Sequence, residues 1–506
     1  MLAALPERRS RGSGLRPMSL RSQVLAALRW TVLGRFASQI ASWAITILVM
    51  RFLLPADYGL MAMATIFSSL LALVAELGLS SSLIQARDVS ERQMRQIFAV
   101  TLLANVGVFA VLALVIAPLA AIFFSEPRLQ TIIQVVALQF IPASFAVIPG
   151  ALLHRDMAYR GRSLVDFVSS LAGSLLTLGL AYTSHGVWAL AWGGVLMATL
   201  RAAGYNLLRP YTGLPLFDFS GSGRIIRFGR DIAANQVVYH FYSQADSLIV
   251  GKLLGRHDLG LYSVSMDLAS LPTSRLASIL NQVAFPAMSK VQREGGSVNP
   301  YVLKSLRAIS LISFPVMWGM SSVAPEIVAG LLGRNWVGAS LPLMLLCLIM
   351  PLRVLGPIVH AALQSVGRAD VSFRNTCTTA VVMCLAFIIG CQFGLVGLAL
   401  AWVLAFPCVF LANLVRACPH LDLQVAEVMG AVGRSALTSG VMYGCVALAR
   451  ELLALPPLPL LLLLAVVGAV AYLAASALFN RRGIDEALAL LRPERQPTVT
   501  EREARS

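Results

Sequence analysis

The stretch that decides the fold runs from Arg224 to Gln292 and reads RIIRFGRDIAANQVVYHFYSQADSLIVGKLLGRHDLGLYSVSMDLASLPTSRLASILNQVAFPAMSKVQ. It consists of two long apolar segments joined by a short polar turn, Gly255-Arg256-His257-Asp258. Each segment is long enough to cross the hydrocarbon core of a bilayer, which takes about 20 residues of α-helix. The stretch therefore predicts a pair of transmembrane helices with a tight turn between them.

Three ionisable residues interrupt these apolar segments: Asp246, Asp267 and Arg275. An ionisable side chain at mid-membrane depth costs about 2.5–3.5 kcal/mol on insertion scales, so it normally faces the interior of the bundle or a water-filled cavity. Their presence predicts that the two helices line a functional cavity.

The composition of the whole chain is that of an integral membrane protein. Of its 506 residues, 58% are hydrophobic and 13% are charged, whereas soluble domains carry about 25% charged residues. The formal net charge of +16 would suit a nucleic-acid-binding protein, but the basic residues lie between apolar segments instead of on one polar domain. The positive charge of cytoplasmic loops in membrane proteins explains this pattern more simply.

Apolar windows of about 20 residues, bounded by charges or turn residues, predict about fourteen transmembrane helices. The predicted intervals are 30–51, 59–83, 96–124, 129–153, 163–183, 186–208, 229–254, 259–287, 306–332, 338–363, 373–392, 394–416, 432–452 and 456–479. With the N-terminus inside, the inside segments hold 31 of the 40 Lys and Arg residues and the outside turns hold six. Both termini are therefore predicted to be cytoplasmic.

An internal repeat divides the chain. The segment 53–60 is echoed at 253–261, and the segment 186–191 is echoed at 394–399. Six predicted helices fit between the copies, so the copies run in the same direction. Parallel repeats pack about an axis along the membrane normal, with the substrate site between them.

The predicted fold is an all-α integral membrane protein with two parallel six-helix lobes around a central cavity, plus two extra C-terminal helices. The predicted parts, in order, are a basic cytoplasmic N-terminus at 1–29, the N-lobe at 30–208, a cytoplasmic linker at 209–228, the C-lobe at 229–417, the extra helices at 418–480 and a cytoplasmic tail at 481–506.

Several motifs carry a family resemblance. They are Arg227-Phe228-Gly229, the polar helix with Asn235 and Asp246, the LLG…LGLY turn at 253–262, Leu271-Pro272, and AFPAMSKVQ at 284–292. Together they resemble the oligosaccharide (Wzx-like) flippases of bacterial envelopes, over Arg29 to about Asn480. Those flippases belong to the multidrug/oligosaccharidyl-lipid/polysaccharide (MOP) exporter superfamily, with drug exporters and a lipid II flippase.

The resemblance implies an alternating-access flippase, and not an enzyme, in the bacterial inner membrane. Its implied cargo is an undecaprenyl-diphosphate-linked oligosaccharide repeat unit for O-antigen, capsule or exopolysaccharide. Membrane lipids are expected partners, and polymerase and chain-length proteins of a polysaccharide assembly system are candidate partners. No nucleic-acid partner and no cofactor are expected, because the chain shows no nucleotide loop and no metal-ligand spacing.

The expected substrate-binding residues place charge or polarity in the spans that would line the cavity. They are Arg35, Asn235, Tyr239, His240, Arg275 and Arg353. A guanidinium is permanently charged and pairs bidentately with phosphate, so the three arginines are hypothesised to hold the diphosphate. The alternative for Arg35 is that it snorkels to the inner surface. Arg353 lies between Pro351 and Pro357, in a helix that is predicted to be broken there.

Three carboxylates are candidate ion-coupling residues: Glu76, Asp246 and Asp267. A buried carboxylate can exchange a proton or hold a cation near neutral pH. The alternative is structural, since either aspartate could pair with Arg275 or Lys252, and Glu76 could cap a break in its helix.

Two further groups of residues are interpreted as structural. Cys377, Cys384 and Cys391 recur every seven residues on one helix face, and small apolar packing is favoured over a redox or metal site. The aromatic residues near turns are interpreted as an interfacial belt. They are Tyr58, Trp188, Tyr262 and Trp336.

Three other functions stay open. A multidrug or lipid II exporter of the same superfamily is the nearest, although a cation exporter would want embedded acids without the embedded arginines. A membrane glycosyltransferase or polymerase would need a large extracytoplasmic loop, and every outside turn here is short. A scaffold of an export complex would not need charges inside its helices.

Overall fold

A computed structural model describes residues 44–76, 90–156, 158–218, 243–273 and 296–481. The regular structure of these residues is helical throughout, with no strand in the described ranges. Ten of the helices there are long and apolar enough to cross a membrane by length and composition. The prediction of an all-α membrane protein is confirmed.

The helices are labelled in chain order, and the labels count helical segments, not membrane crossings. They are α1 (44–52), α2 (Pro55–Glu76), α3 (Glu91–Phe124), α4 (Arg128–Arg155), α5 (Tyr159–Tyr182), α6 (Val187–Leu208), α7 (243–253), α8 (255–273), α9 (Asn299–Ser322), α10 (Ser340–Ser365), α11 (Ala369–Cys391), α12 (Gly394–Ala417), α13 (Val425–Leu452) and α14 (Pro457–Phe479). Between α9 and α10 lie three short helical turns, Ala324–Ile327, Val328–Leu332 and Arg334–Ala339. The predicted spans overlap these segments.

Local sequence explains where several helices begin. Ser90 precedes α3, and its hydroxyl accepts a hydrogen bond from the Gln93 backbone N–H. The Ser90 backbone N–H in turn donates to the Gln93 side-chain oxygen, which completes a capping box. Gly186 immediately precedes α6, and Gly394 is the first residue of α12. Their φ angles are 57° and 72°, in a left-handed region that glycine adopts without strain. These two glycines occupy matching positions in the predicted repeat.

One expectation about α10 is wrong. The helix continues without a break from Ser340 to Ser365 and contains both Pro351 and Pro357. A proline removes one backbone hydrogen bond, but neighbouring helices in a membrane bundle hold the chain in helical form. Arg353 therefore projects from a continuous helix.

The helices pack in two groups joined by a shared core. Helices α2–α6 pack mainly on one another, and α9–α14 do the same. The largest core cluster joins the groups through α7 and α8, with Val250, Leu259 and Tyr262 packed between Met63 on one side and Leu343 on the other. Residues 243–273 are thus the hub of the described structure.

The first part of the predicted linker lies against the start of α3. The Leu216 N–H donates to the Arg95 carbonyl at 3.1 Å, and the Arg95 Nε donates to the Leu214 carbonyl at 2.8 Å. Arg92 and Asp218 form an exposed ion pair at 2.6 Å. The chain at 209–218 has no regular secondary structure and is hydrogen-bonded to the first group of helices.

Candidate functional site

Five of the predicted site residues lie outside the described residues: Arg35, Asn235, Tyr239, His240 and Arg275. Glu76 is the last residue of α2, and its side chain is also outside the described part. The structure therefore places three of the predicted residues, Asp246, Asp267 and Arg353.

Asp246 is the buried anchor of a hydrogen-bonded chain. Only 6% of its surface is exposed. Its Oδ2 accepts a 2.6 Å hydrogen bond from the hydroxyl of Tyr262, and its Oδ1 accepts one of 2.7 Å from the Ser247 backbone. The Tyr262 hydroxyl in turn accepts a 2.9 Å bond from the Trp402 indole N–H. The chain links α7, α8 and α12 in the core.

Arg353 of α10 brings a positive charge next to these hydrogen-bonded side chains. Its guanidinium lies over the Trp402 ring at 4.4 Å from the ring centroid, a cation–π arrangement. Its Nη1 contacts the sulfur of Met266 at 3.3 Å and that of Met350 at 3.9 Å. It is also close enough to Asp246 for the two charges to interact. Four helices thus contribute to one buried cluster, which we call the polar core cluster: Asp246, Tyr262, Arg353 and Trp402.

Asp246 does not pair with Lys252 in the structure, as the alternative hypothesis had it. The Lys252 ammonium donates to the Phe123 carbonyl and lies 5.0 Å from the centroid of the Phe123 ring. Lys252 therefore ties the end of α7 to the end of α3, and Asp246 binds Tyr262 instead.

Asp267 is exposed on α8, two turns beyond the crossing point with α2. It lies within electrostatic reach of Tyr58 of α2, whose ring packs on Trp336. An exposed carboxylate within a membrane helix calls for a polar cavity. The two coupling candidates whose side chains the structure describes thus have different surroundings, since Asp246 is buried in the core and Asp267 is exposed.

The end of the molecule that carries the turns near 53, 126, 254 and 335 is closed by contacts between the two groups of helices. We call it the closed end. Helices α2 and α8 cross there through Gly59 and Gly260. A Cβ on Gly59 would collide with the Arg256 carbonyl, and one on Gly260 would collide with the Pro55 carbonyl. Only glycine permits this approach.

Polar contacts reinforce the closed end. Arg51 donates to the carbonyls of Gly330 at 2.6 Å and Leu331 at 2.9 Å. Both carbonyls belong to the π-helical turn Val328–Leu332, which leaves backbone acceptors available. Arg256 pairs with Glu126 at 3.2 Å. These contacts join residues that are far apart in the sequence, and no local pattern predicts them.

The interpretation of two aromatic residues as interfacial belt is wrong. Trp336 and Tyr262 are both fully buried. The Trp336 indole N–H donates to the Met50 carbonyl at 2.7 Å, and Tyr262 belongs to the polar core cluster. Their closeness to turns in the sequence suggested an interface, but helix packing at the closed end covers both.

The comparisons with known proteins agree with this architecture. Residues 48–341, more than half of the chain, match the profile of the family described as "Polysaccharide biosynthesis protein". The lipopolysaccharide biosynthesis protein WzxC of Escherichia coli K12 is 23% identical over 397 residues, which cover 76% of this chain and 79% of WzxC. The teichuronic acid biosynthesis protein TuaB of Bacillus subtilis 168 is 23% identical over 392 residues, covering 76% and 80%.

Two solved structures share the fold. The lipid II flippase MurJ in an inward closed conformation aligns with a TM-score of 0.72 at 12% identity, covering 90% of this chain and all of that one. An inward-facing multidrug resistance MATE family transporter of the MOP superfamily aligns with a TM-score of 0.59 at 16% identity, covering 76% and 96%. The resemblance to polysaccharide flippases is confirmed by the family match, and at these identities the solved structures establish the fold alone.

Proposed function

Because the chain belongs to the polysaccharide biosynthesis protein family, we propose that it is an alternating-access flippase for a polyprenyl-diphosphate-linked oligosaccharide repeat unit. The unit would cross the bacterial inner membrane for assembly of O-antigen, capsule or exopolysaccharide, and the polymerase and chain-length proteins of that assembly would receive it. The names of the relatives support the polysaccharide role. The fold shared with a lipid II flippase supports the lipid-linked cargo.

The observation that carries the proposal is the state of Arg353. Arg353 interacts electrostatically with Asp246, but its contacts among the described residues are two sulfur atoms and an indole ring. These are weak partners for a group with five N–H donors. Donors left available on a permanently charged fork suit phosphate oxygens, and the diphosphate of the cargo supplies them.

We assign fourteen membrane crossings, two six-helix lobes and cytoplasmic termini to the chain, since the Lys and Arg distribution favours that orientation. The closed end then faces away from the cytoplasm. Contacts at this end would have to separate for the cargo to leave, while the polyprenyl tail stays in lipid. On this proposal, cargo would enter from the cytoplasmic side while the closed end stays shut.

The carboxylates are proposed to couple this movement to an ion. Asp267 is exposed on α8, two turns beyond its crossing with α2, where a proton or cation could reach it from a polar cavity. Asp246 holds the polar core cluster together, so its protonation would weaken the hold on Tyr262. Glu76 is retained as a third coupling candidate, and Arg35, Asn235, Tyr239, His240 and Arg275 as further substrate ligands.

A drug or lipid II exporter is the second candidate, because a MATE transporter and MurJ share the fold. The embedded arginine counts against an exporter of cationic drugs, since like charges repel in a low-dielectric site.

The two candidates separate in a strain that lacks the gene. We expect loss of surface polysaccharide and accumulation of finished repeat units on the cytoplasmic leaflet, and restoration by a plasmid copy. Normal surface polymer with altered drug resistance would instead establish the exporter.

A further inference from the structure

A cavity of about 530 Å³ opens between α10, α11 and α12, beside Arg353. Its volume is within the range of small-molecule sites, about 300–1,000 Å³. Helix α11 packs closely on α12 and much less on α10, which leaves a wedge between them. The polar lining consists of Arg353, His360, Ser372, Asn375, Thr376, Thr379 and Asn413. We call this space the α10–α12 cavity.

Two residues that line this cavity each have a buried amide oxygen without a hydrogen-bond donor. Asn375 is 8% exposed, and its Nδ2 donates to the Asn413 carbonyl at 3.3 Å while its Oδ1 has no partner. The Asn413 Nδ2 donates to the Thr379 hydroxyl at 2.9 Å, and the Asn413 Oδ1 also has no partner. Buried acceptors without donors are rare because they lose their water without compensation.

The network fixes the orientation of both amides. The Thr379 hydroxyl already donates to the Asn375 backbone carbonyl at 2.8 Å, so it accepts from Asn413 and cannot donate to it. A reversed Asn375 amide would point its oxygen at the Asn413 carbonyl oxygen. The unpaired groups are therefore acceptors, and a ligand with donors would satisfy them once the amides turn towards the cavity.

The rest of the lining narrows the chemistry of that ligand. Arg353 puts a permanent positive charge on the wall, which disfavours a metal cation. A purely apolar ligand would leave the amide oxygens unpaired. Phe406 and Phe410 add apolar ring surface. A ligand that offers hydroxyl donors to the amides and an apolar face to the phenyl rings has the features of a sugar ring.

The cavity also extends far enough for a sugar next to a phosphate. Arg353 and His360 both line it from α10, and seven residues of α-helix span about 10.5 Å. At the far end, the His360 ring contacts the Ser372 hydroxyl and the Gln364 amide, the latter at 2.9 Å. Pro357 has no N–H, so the Arg353 carbonyl lacks its usual donor in the helix and is a further acceptor on this wall.

We propose that the α10–α12 cavity is a carbohydrate subsite, which receives a hexose ring of the cargo while Arg353 holds the adjoining phosphate. The inference rests on the proposed function and adds to it a second recognition element inside one group of helices. Asn375 and Asn413 accept hydrogen bonds from sugar hydroxyls. Arg353 contributes to affinity for any diphosphate, and the two amides contribute only when a sugar is attached.

Binding to the purified full chain in phosphatidylethanolamine nanodiscs tests the subsite. The probes are farnesyl diphosphate, farnesyl-diphosphate-linked glucose and phosphatidylglycerol, each titrated by calorimetry. We expect the glucose-bearing probe to bind more tightly than the sugarless one. Asn375→Leu should weaken the glucose-bearing probe about tenfold, the change expected for one lost hydrogen bond, and leave the sugarless probe unchanged. Asn375→Asp, which keeps an acceptor, should retain the preference for the sugar.

A matched pair on α11 keeps the test valid if Asn375→Leu does not insert. Thr376 lines the cavity, whereas Thr378 is half-buried outside the lining and accepts a 2.7 Å hydrogen bond from Arg416. Thr376→Val should reduce the preference for the sugar, and Thr378→Val should not.

Equal binding of the two farnesyl probes by the wild type would overturn the subsite while leaving the flippase proposal intact. Preferential binding of phosphatidylglycerol, sensitive to Asn375→Leu, would assign the cavity to a membrane lipid and also overturn it. Failure of both farnesyl probes to bind would count against the proposed function itself.

Discussion

The hydroxyl group of Tyr262 on α8 links Asp246 of α7 to Trp402 of α12. It donates to Asp246 and accepts from Trp402, so both of its neighbours depend on it for a buried hydrogen bond. Nothing near Tyr262 in the sequence indicates Trp402, which is 140 residues away. Asp246 could be predicted because a carboxylate in an apolar segment is conspicuous, but its partners are determined by helix packing.

Tyr262→Phe is expected to lower the free energy of unfolding by about 1–3 kcal/mol, because it leaves a buried carboxylate oxygen and an indole N–H unpaired. The measurement is thermal unfolding of the purified protein in detergent. Tyr205→Phe is the matched control, since it also removes a hydroxyl bonded to an aspartate, at 2.8 Å, but that Asp166 keeps Arg201 at 3.2 Å. Equal losses in the two variants would contradict the role given to the polar core cluster.

At the level of elements, the approximate positions of the helices could be predicted from hydropathy, because a helix that crosses a membrane needs a long apolar segment. The described helices overlap the predicted spans for that reason. The break predicted in α10 was wrong because a proline in a packed membrane helix need not end it. The burial of Trp336 was missed because the sequence cannot tell an aromatic residue at a lipid interface from one beneath a neighbouring helix.

The π-helical turns are an element that hydropathy does not indicate. They occur at Leu112–Ile116 within α3 and at Val328–Leu332 before α10. Each presents a carbonyl to a distant side chain, since Gln134 donates to Ala113 at 3.3 Å and Arg51 donates to Gly330 at 2.6 Å. A widened turn thus provides the acceptor for a contact between helices.

Gly260→Ala tests the crossing of α2 and α8. The added Cβ would collide with the Pro55 carbonyl, a backbone atom that cannot rotate away. We expect a loss of about 1–3 kcal/mol in unfolding free energy, the usual cost of overpacking. Gly194→Ala on α6 is the control, because no atom lies within 4 Å of its added Cβ and alanine favours the helix. A tolerated Gly260→Ala would show that the crossing is not tightly packed.

On the scale of the whole molecule, the closed end joins the two groups of helices through Arg51, Trp336, Gly59 and Gly260. The parallel repeat stays a prediction from sequence echoes, and the two glycines that it pairs, at 186 and 394, both have positive φ. The contacts at the closed end could not be predicted, because they join residues from 130 positions apart, as in Arg256 and Glu126, to 286 positions apart, as in Trp336 and Met50.

Arg51→Ala should shift the molecule towards opening at this end, since it removes two hydrogen bonds to Gly330 and Leu331. A loss of about 1 kcal/mol would raise the open population about fivefold. The measurement is the labelling rate of Asp267→Cys in a cysteine-depleted background, with a membrane-impermeant thiol reagent added only on the side of the membrane that the closed end faces. Arg334→Ala is the control, because Arg334 is an exposed arginine at the same end. Unchanged labelling in Arg51→Ala would show that Arg51 does not hold the end closed.

The most direct measurement of the central claim is transport by the purified chain in proteoliposomes. The cargo would be lipid-linked oligosaccharide extracted from the deletion strain, with its leaflet distribution followed by accessibility to a sugar-oxidising reagent. The account predicts that the wild type redistributes the cargo between leaflets, that Arg353→Ala lowers the rate at least about tenfold through loss of a charged hydrogen bond to phosphate, and that Arg374→Ala, at an exposed arginine of α11, leaves it unchanged. Full transport by Arg353→Ala that inserts normally, or no transport by the wild type, would contradict it.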